Sequence, residues 1–215
     1  MRFLFLLLAA TLAATLAPLL GVAQPASVPG TYELADGTTG TGMLSYRNGY
    51  KATLLVKDAK ADPATKAGKK GAEFPASKVR AFTMAGDPYV LVRRLQLDTG
   101  LPFGSKTFKD VFAKRVVEGK LELLEFKVTE MTSTGISHDR NGLDTSLREP
   151  MTSVFYVLRR QGDDAAVSLP VIGKRYREVL TSFLAGRPDL IEKVGPKPTT
   201  PEDLFDLIKA FNAGQ

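Results

Sequence analysis

Two dipeptides, Asp36-Gly37 and Asn48-Gly49, constrain this chain more than any other local feature. Each lies between short runs rich in Thr, Tyr, Leu and Val. Asp and Asn tolerate a left-handed backbone and glycine adopts it freely, so such pairs close tight hairpin loops whose twist matches the flanking strands. Three strands follow, Gly30–Leu34, Thr41–Tyr46 and Lys51–Asp58, joined as a meander. Glu73–Pro75, Val79–Met84 and Tyr89–Leu97 continue the β pattern, with a turn at Ala85-Gly86-Asp87-Pro88. Residues 59–72 are mostly Lys, Ala, Gly, Asp and Pro, which predicts a surface loop. Residues 24–100 are therefore expected to form a small, bent antiparallel sheet or open barrel.

A change of composition at Gly100-Leu101-Pro102-Phe103-Gly104 predicts a domain boundary, with a second domain over 101–215. Phe108, Val111, Phe112 and Val116 recur at i, i+3, i+4 and i+8. That spacing predicts an amphipathic helix over Thr107–Glu118, ended by Gly119. Lys120–Thr129 alternates as a strand, and the polar residues 130–150 read as a long loop. Ser153–Arg160 and Ala165–Leu169 are expected strands flanking the turn Gln161-Gly162-Asp163-Asp164.

Tyr176, Val179, Leu180, Phe183 and Leu184 form a helical stripe that stops at Gly186. Pro188 suits a first helical position, and Thr200-Pro201-Glu202-Asp203 carries a capping hydroxyl followed by acids. Leu204, Leu207, Ile208 and Phe211 give the last helix its apolar face. The fold class expected overall is α+β. It comprises the N-terminal sheet or open barrel, then a helix and short antiparallel strands, capped by C-terminal helices.

The first 23 residues carry an address. Arg2 precedes an apolar run from Phe3 to Ala17, Pro18 breaks it, and Gly21-Val22-Ala23 offers small residues to a signal peptidase. This order predicts a secretory signal cleaved after Ala23, a transmembrane anchor being the rival reading. No later apolar span follows, so the mature chain is expected to be a soluble, periplasmic or secreted bacterial protein. The chain has no cysteine, so neither a disulfide nor a lipoprotein anchor is available to it. A net charge of +6 favours solubility and weak attraction to anions, without requiring a polyanionic partner.

Each chemical signal competes with a plainer reading. His138, the one histidine, sits with Asp139 and Asp144 in the 130–150 loop. A catalytic triad needs a base held rigidly by the fold, which neighbours on one loop rarely supply. Asp139, Asn141 and Asp144 could ligate calcium, but the alternation of oxygens fails after Asn141 and Glu149 is followed by Pro150. Gly37, Gly40 and Gly42 precede a strand, whereas a phosphate loop precedes a helix. Asp163-Asp164 and Glu202-Asp203 read as a turn and a helix start.

Lys66, Lys69, Lys70, Lys78 and Arg80, with Arg93-Arg94, form a basic 60–94 face. Tyr50, Phe74 or Tyr89 could supply stacking surfaces beside it. No catalytic, cofactor-binding or metal-binding residue is assigned.

The segments Thr31–Thr38 with Gly42-Met43-Leu44, Leu54–Lys57, and Phe74–Phe82 are similar to the opening of uncharacterised secreted proteins of the Bacteroidetes. Phe183–Leu190 and Leu204–Asn212 resemble that group's closing helices. The resemblance implies export and an α+β fold, and it supplies no site residues. The expected function is a non-enzymatic binding or envelope-associated module, its partner a cell-envelope component or anionic polymer. The alternatives are an exported hydrolase using the 130–150 loop and a polyanion-binding protein using the 60–94 face.

Overall fold

The computed structural model describes residues 27–49, 51–58, 71–98, 105–138, 144–170, 174–195 and 200–214, with the backbone alone for 130–149. The leader, the Gly100–Gly104 segment and most of the lysine-rich loop lie outside the described residues. Ten strands form one sheet: Val28–Leu34 (β1), Thr39–Arg47 (β2), Thr53–Lys57 (β3), Ala72–Pro75 (β4), Val79–Met84 (β5), Asp87–Asp98 (β6), Ser105–Val117 (β7), Leu121–His138 (β8), Asp144–Arg160 (β9) and Ala166–Ser168 (β10). Their order is β10-β9-β8-β7-β6-β5-β1-β2-β3-β4. Parallel pairing of β10 with β6, Ala166 opposite Leu95, closes β6 to β10 into a five-stranded barrel. Lys174–Phe183 (α1), Pro188–Ile191 (α2) and Pro201–Ala213 (α3) follow.

This corrects the α+β expectation. The protein is mostly β, and its barrel is closed and built from β6 to β10, across the expected boundary rather than within residues 24–100. The helix expected over Thr107–Glu118 is β7. Val111 and Ala113 point into the barrel core, whereas Phe112 enters a second core formed by Leu44, Leu54, Val79 and Phe82. A strand buried on both faces loses its polar alternation, and its apolar residues can then mimic helical spacing.

The expected 130–150 loop is likewise corrected. Strands β8 and β9 pair through it, from Leu121 opposite Arg160 to His138 opposite Asp144, with one register shift between Ser133 and Gly135. Thr is a strand former, so a polar composition there does not by itself mark irregular backbone. Thr129 and Thr152 hydrogen-bond across it at 2.9 Å between Oγ1 atoms.

The turn at Asp36-Gly37 forms as expected. Gly37 has φ 86°, and Asp36 Oδ1 accepts from the Thr38 amide at 2.9 Å. Asn48-Gly49 behaves differently, because β2 ends at Arg47 and β3 begins only at Thr53. Asn48 instead bridges to β7: its Nδ2 donates to Phe112 O at 2.8 Å, and the Phe112 amide donates to its Oδ1 at 2.9 Å.

The helical layer packs on the outer face of β8 and β9. Leu121, Leu123 and Leu158 meet Tyr176, Leu180, Leu184, Leu204, Ile208 and Phe211 in a third core. Asn212 latches α3 to the β7–β8 turn. It accepts from the Leu121 amide at 2.9 Å and donates to Leu121 O at 2.9 Å. Gly119, expected as a helix end, is the turn residue beneath it, and a side chain there would run into Asn212.

Candidate functional site

Inward-facing residues alternate along β8 as Glu122, Leu124 and Phe126, and along β9 as Phe155, Val157 and Arg159. An ion pair therefore occupies one end of a largely apolar barrel interior. Glu122 and Arg159 are opposed in register, with Arg159 Nε 2.6 Å from Glu122 Oε2. Arg159 Nη1 also donates to Leu91 O at 2.8 Å, anchoring the guanidinium to β6. The β7–β8 register shifts between Arg115 and Val117, and such an irregularity re-aims the side chains beside it. Arg115 thereby reaches the same carboxylate, Nε lying 3.1 Å from Glu122 Oε1. That Nε is buried without a well-aligned hydrogen bond. Two guanidiniums thus share one carboxylate whose side chain is 6% exposed.

A groove of about 790 Å³ opens over this end of the barrel. Its floor is apolar, formed by Val79, Ala81, Val90 and Leu91. Arg80 and Arg93 line its rim, each against an acid: Arg80 lies 2.9 Å from Glu33, and Arg93 lies 3.6 Å from Asp164. The β9–β10 turn contributes Gly162, Asp163 and Asp164. Strand β6 serves both cores by alternation before Arg94, with Val90 and Val92 toward the barrel and Tyr89 and Leu91 toward the N-terminal core, and the φ of 50° at Arg94 shifts the alternation within the barrel face. Beyond that residue the buried set changes from Val90 and Val92 to Leu95 and Leu97.

Arg80 and Arg93 belong to the basic face read from the sequence, and the fold brings them together. Arg94 and Lys78 are not among the groove's lining residues, while Lys66, Lys69, Lys70 and Tyr50 lie outside the described residues. The proposed stacking aromatics are occupied elsewhere. Tyr89 stacks on Phe82 with ring centroids 4.9 Å apart, and Phe74 packs 5.8 Å from Tyr32. Burial pushes the neighbouring Tyr46 phenol well above its ordinary range, with Tyr89 adding to the effect. These rings belong to the core around Phe82 and Phe112.

Arg115 and Arg159 were not legible as site residues. Nothing local marks them, since their meeting depends on the β7–β8 and β8–β9 registers. Asp163-Asp164 is the expected turn and also part of the groove wall. Glu202-Asp203 opens α3, where the Asp203 amide donates to Thr200 Oγ1 at 3.2 Å.

Gly37, Gly40 and Gly42 lie at or beside the β1–β2 hairpin rather than at a helix start. His138 and Asp144 are opposed in backbone register at the end of β8–β9, and Asp139 and Asn141 lie outside the described residues. Among the described residues, no group of three or more His, Asp or Glu is placed to hold a metal ion. None of the described helices is long and apolar enough to cross a membrane. Comparison of the chain with protein-family models, with curated proteins and with solved structures finds no match.

Proposed function

We propose that the protein is a non-enzymatic binding module, exported by its N-terminal leader, that holds an anionic envelope component or polymer in the groove beside the barrel. The observation that carries this reading is convergence. Arg80, Arg93, Arg115 and Arg159 come from β5, β6, β7 and β9 and line one groove. Arginine stays protonated at any physiological pH and presents a planar fork of donors, so a cluster of arginines suits recognition of oxyanions better than proton transfer. The groove volume lies within the roughly 300–1,000 Å³ of small-ligand sites. It accommodates a segment of a polymer, not a folded partner.

Retention of the purified protein on phosphocellulose and on cell-envelope fractions, measured across salt, tests the proposal. The Arg80→Gln/Arg93→Gln variant is expected to elute at lower salt, its salt slope reduced by roughly two for two lost contacts. A control of equal charge, Arg47→Gln/Lys209→Gln, removes two cations that lie outside the groove lining and should elute close to wild type. Equal shifts in both variants, or no retention of the wild type on either matrix, would overturn the reading.

A further inference from the structure

We infer that the inner end of the groove is a receptor for one oxyanion group, a carboxylate or a phosphoryl, clamped by Arg115 and Arg159 and oriented by Glu122. The inference rests on the groove being the binding site and names the group that seats deepest in it.

Charge is the first argument. At the rim each cation has its own acid, Arg80 with Glu33 and Arg93 with Asp164. At the inner end two guanidiniums share Glu122. The other acids nearby, Glu118 at 2.8 Å from Arg115 Nη1 and 74% exposed, and the exposed Asp163 of the groove lining, are screened by solvent. The one buried carboxylate therefore faces two guanidiniums whose side chains are only 25% and 12% exposed. Partly desolvated charge is stabilised by a compensating anion.

Donor geometry is the second argument. A guanidinium carries five N–H donors. The bonds from Arg159 to Glu122 and Leu91 O engage its Nε and Nη1, and Nη2 has no hydrogen bond among the described residues. Arg115 donates from Nη1 to Glu118 and keeps a buried Nε without an aligned acceptor.

Rigidity is the third. Strands β8 and β9 are buried on both faces here, with Leu123 and Leu158 under the helices and Leu124 and Val157 in the barrel. The Arg159 fork and the Glu122 carboxylate that holds both guanidiniums are thus fixed before a ligand arrives, and preorganised donors lose little entropy on binding. Glu122 acts as a positioning residue, because it touches both guanidiniums from the barrel side.

Titration of the full chain with acetate and, separately, inorganic phosphate, at ionic strength held constant with chloride, tests this by NMR of the arginine Nε–Hε signals. The expected result is saturable shifts at Arg115 and Arg159 that exceed those at Arg80 and Arg93. Saturation by acetate alone assigns a carboxylate ligand, and by phosphate alone a phosphoryl ligand; either supports the receptor. Arg115→Gln should weaken the saturating anion by about tenfold, the scale of one lost charge-assisted contact. Asp206→Asn, on the exposed face of α3 and outside the groove lining, should leave that affinity within about twofold of wild type.

Non-saturating shifts, or equal shifts at all four arginines, would overturn the receptor. If phosphocellulose retention still depends on Arg80 and Arg93 in that case, the groove reading stands and only the inner receptor falls. Because Arg115→Gln could perturb folding, the wild-type comparison of inner and rim arginines decides the matter without any variant.

Discussion

Glu122 is the residue on which the candidate site turns. Its carboxylate is almost wholly removed from water and is held by Arg159 at 2.6 Å and Arg115 at 3.1 Å. Breaking a buried pair leaves the partner's charge uncompensated, which costs more than the pair itself contributes. Glu122→Gln is therefore expected to lower the unfolding free energy by about 3–5 kcal/mol, measured by urea denaturation. A loss below about 1 kcal/mol, the range of exposed ion pairs, would contradict the burial argument.

Two exposed acids set a different dependence. The Thr38 amide beside Asp36 holds its carboxyl below the ordinary value of 3.8, and Arg187 does the same for Asp189 through bonds of 2.8 and 2.9 Å. For a depressed carboxyl the stabilisation is complete above the unfolded pKa and is lost as pH falls through the folded one. Between about pH 5 and pH 2 the wild type should lose more thermal stability than an Asp36→Asn/Asp189→Asn variant. Parallel melting-temperature curves for the two proteins over that interval would refute it.

At the scale of elements, legibility followed local chemistry and failed where burial was two-sided. Val79–Met84 was readable to the residue, and the helical stripe from Tyr176 to Leu184 matches α1 and the turn after it. Each of these has one wet face, so its period survives in the sequence. Strand β7 has none over Val111–Ala113, and its apolar spacing there mimics a helix.

The β8–β9 ribbon failed for the opposite reason. Beyond Glu125 its described pairing is between β8 and β9 alone, and the polar run 130–150 carries no apolar alternation to mark a strand. The candidate site shows the same divide. Arg80 and Arg93 stood out because they belong to a basic run, whereas Arg115, Glu122 and Arg159 meet only once a bulge and two registers have been fixed.

For the molecule as a whole, the decisive feature is that β6 and β7 serve two cores at once. Val90, Val92, Val111 and Ala113 fill the barrel, while Phe112, from the same strand, packs at 5.0 Å on Phe82 of the N-terminal core. Its backbone also carries both bonds to Asn48. These strands flank the Gly100–Gly104 segment where composition predicts a domain boundary, and they pair with each other from Tyr89–Lys114 to Asp98–Ser105.

A boundary in composition need not be a boundary in cooperativity, because two cores that share a strand cannot lose it separately. Phe112→Ala removes a fully buried ring from the N-terminal core and should cost about 3–5 kcal/mol. If the cores unfold together, hydrogen exchange will show that loss at amides of β2 and β3 and equally at amides of β8 and α3. If protection falls in β2 and β3 alone while β8 and α3 keep theirs, the two cores unfold as independent units. The groove between them would then be a hinge instead of a fixed cleft.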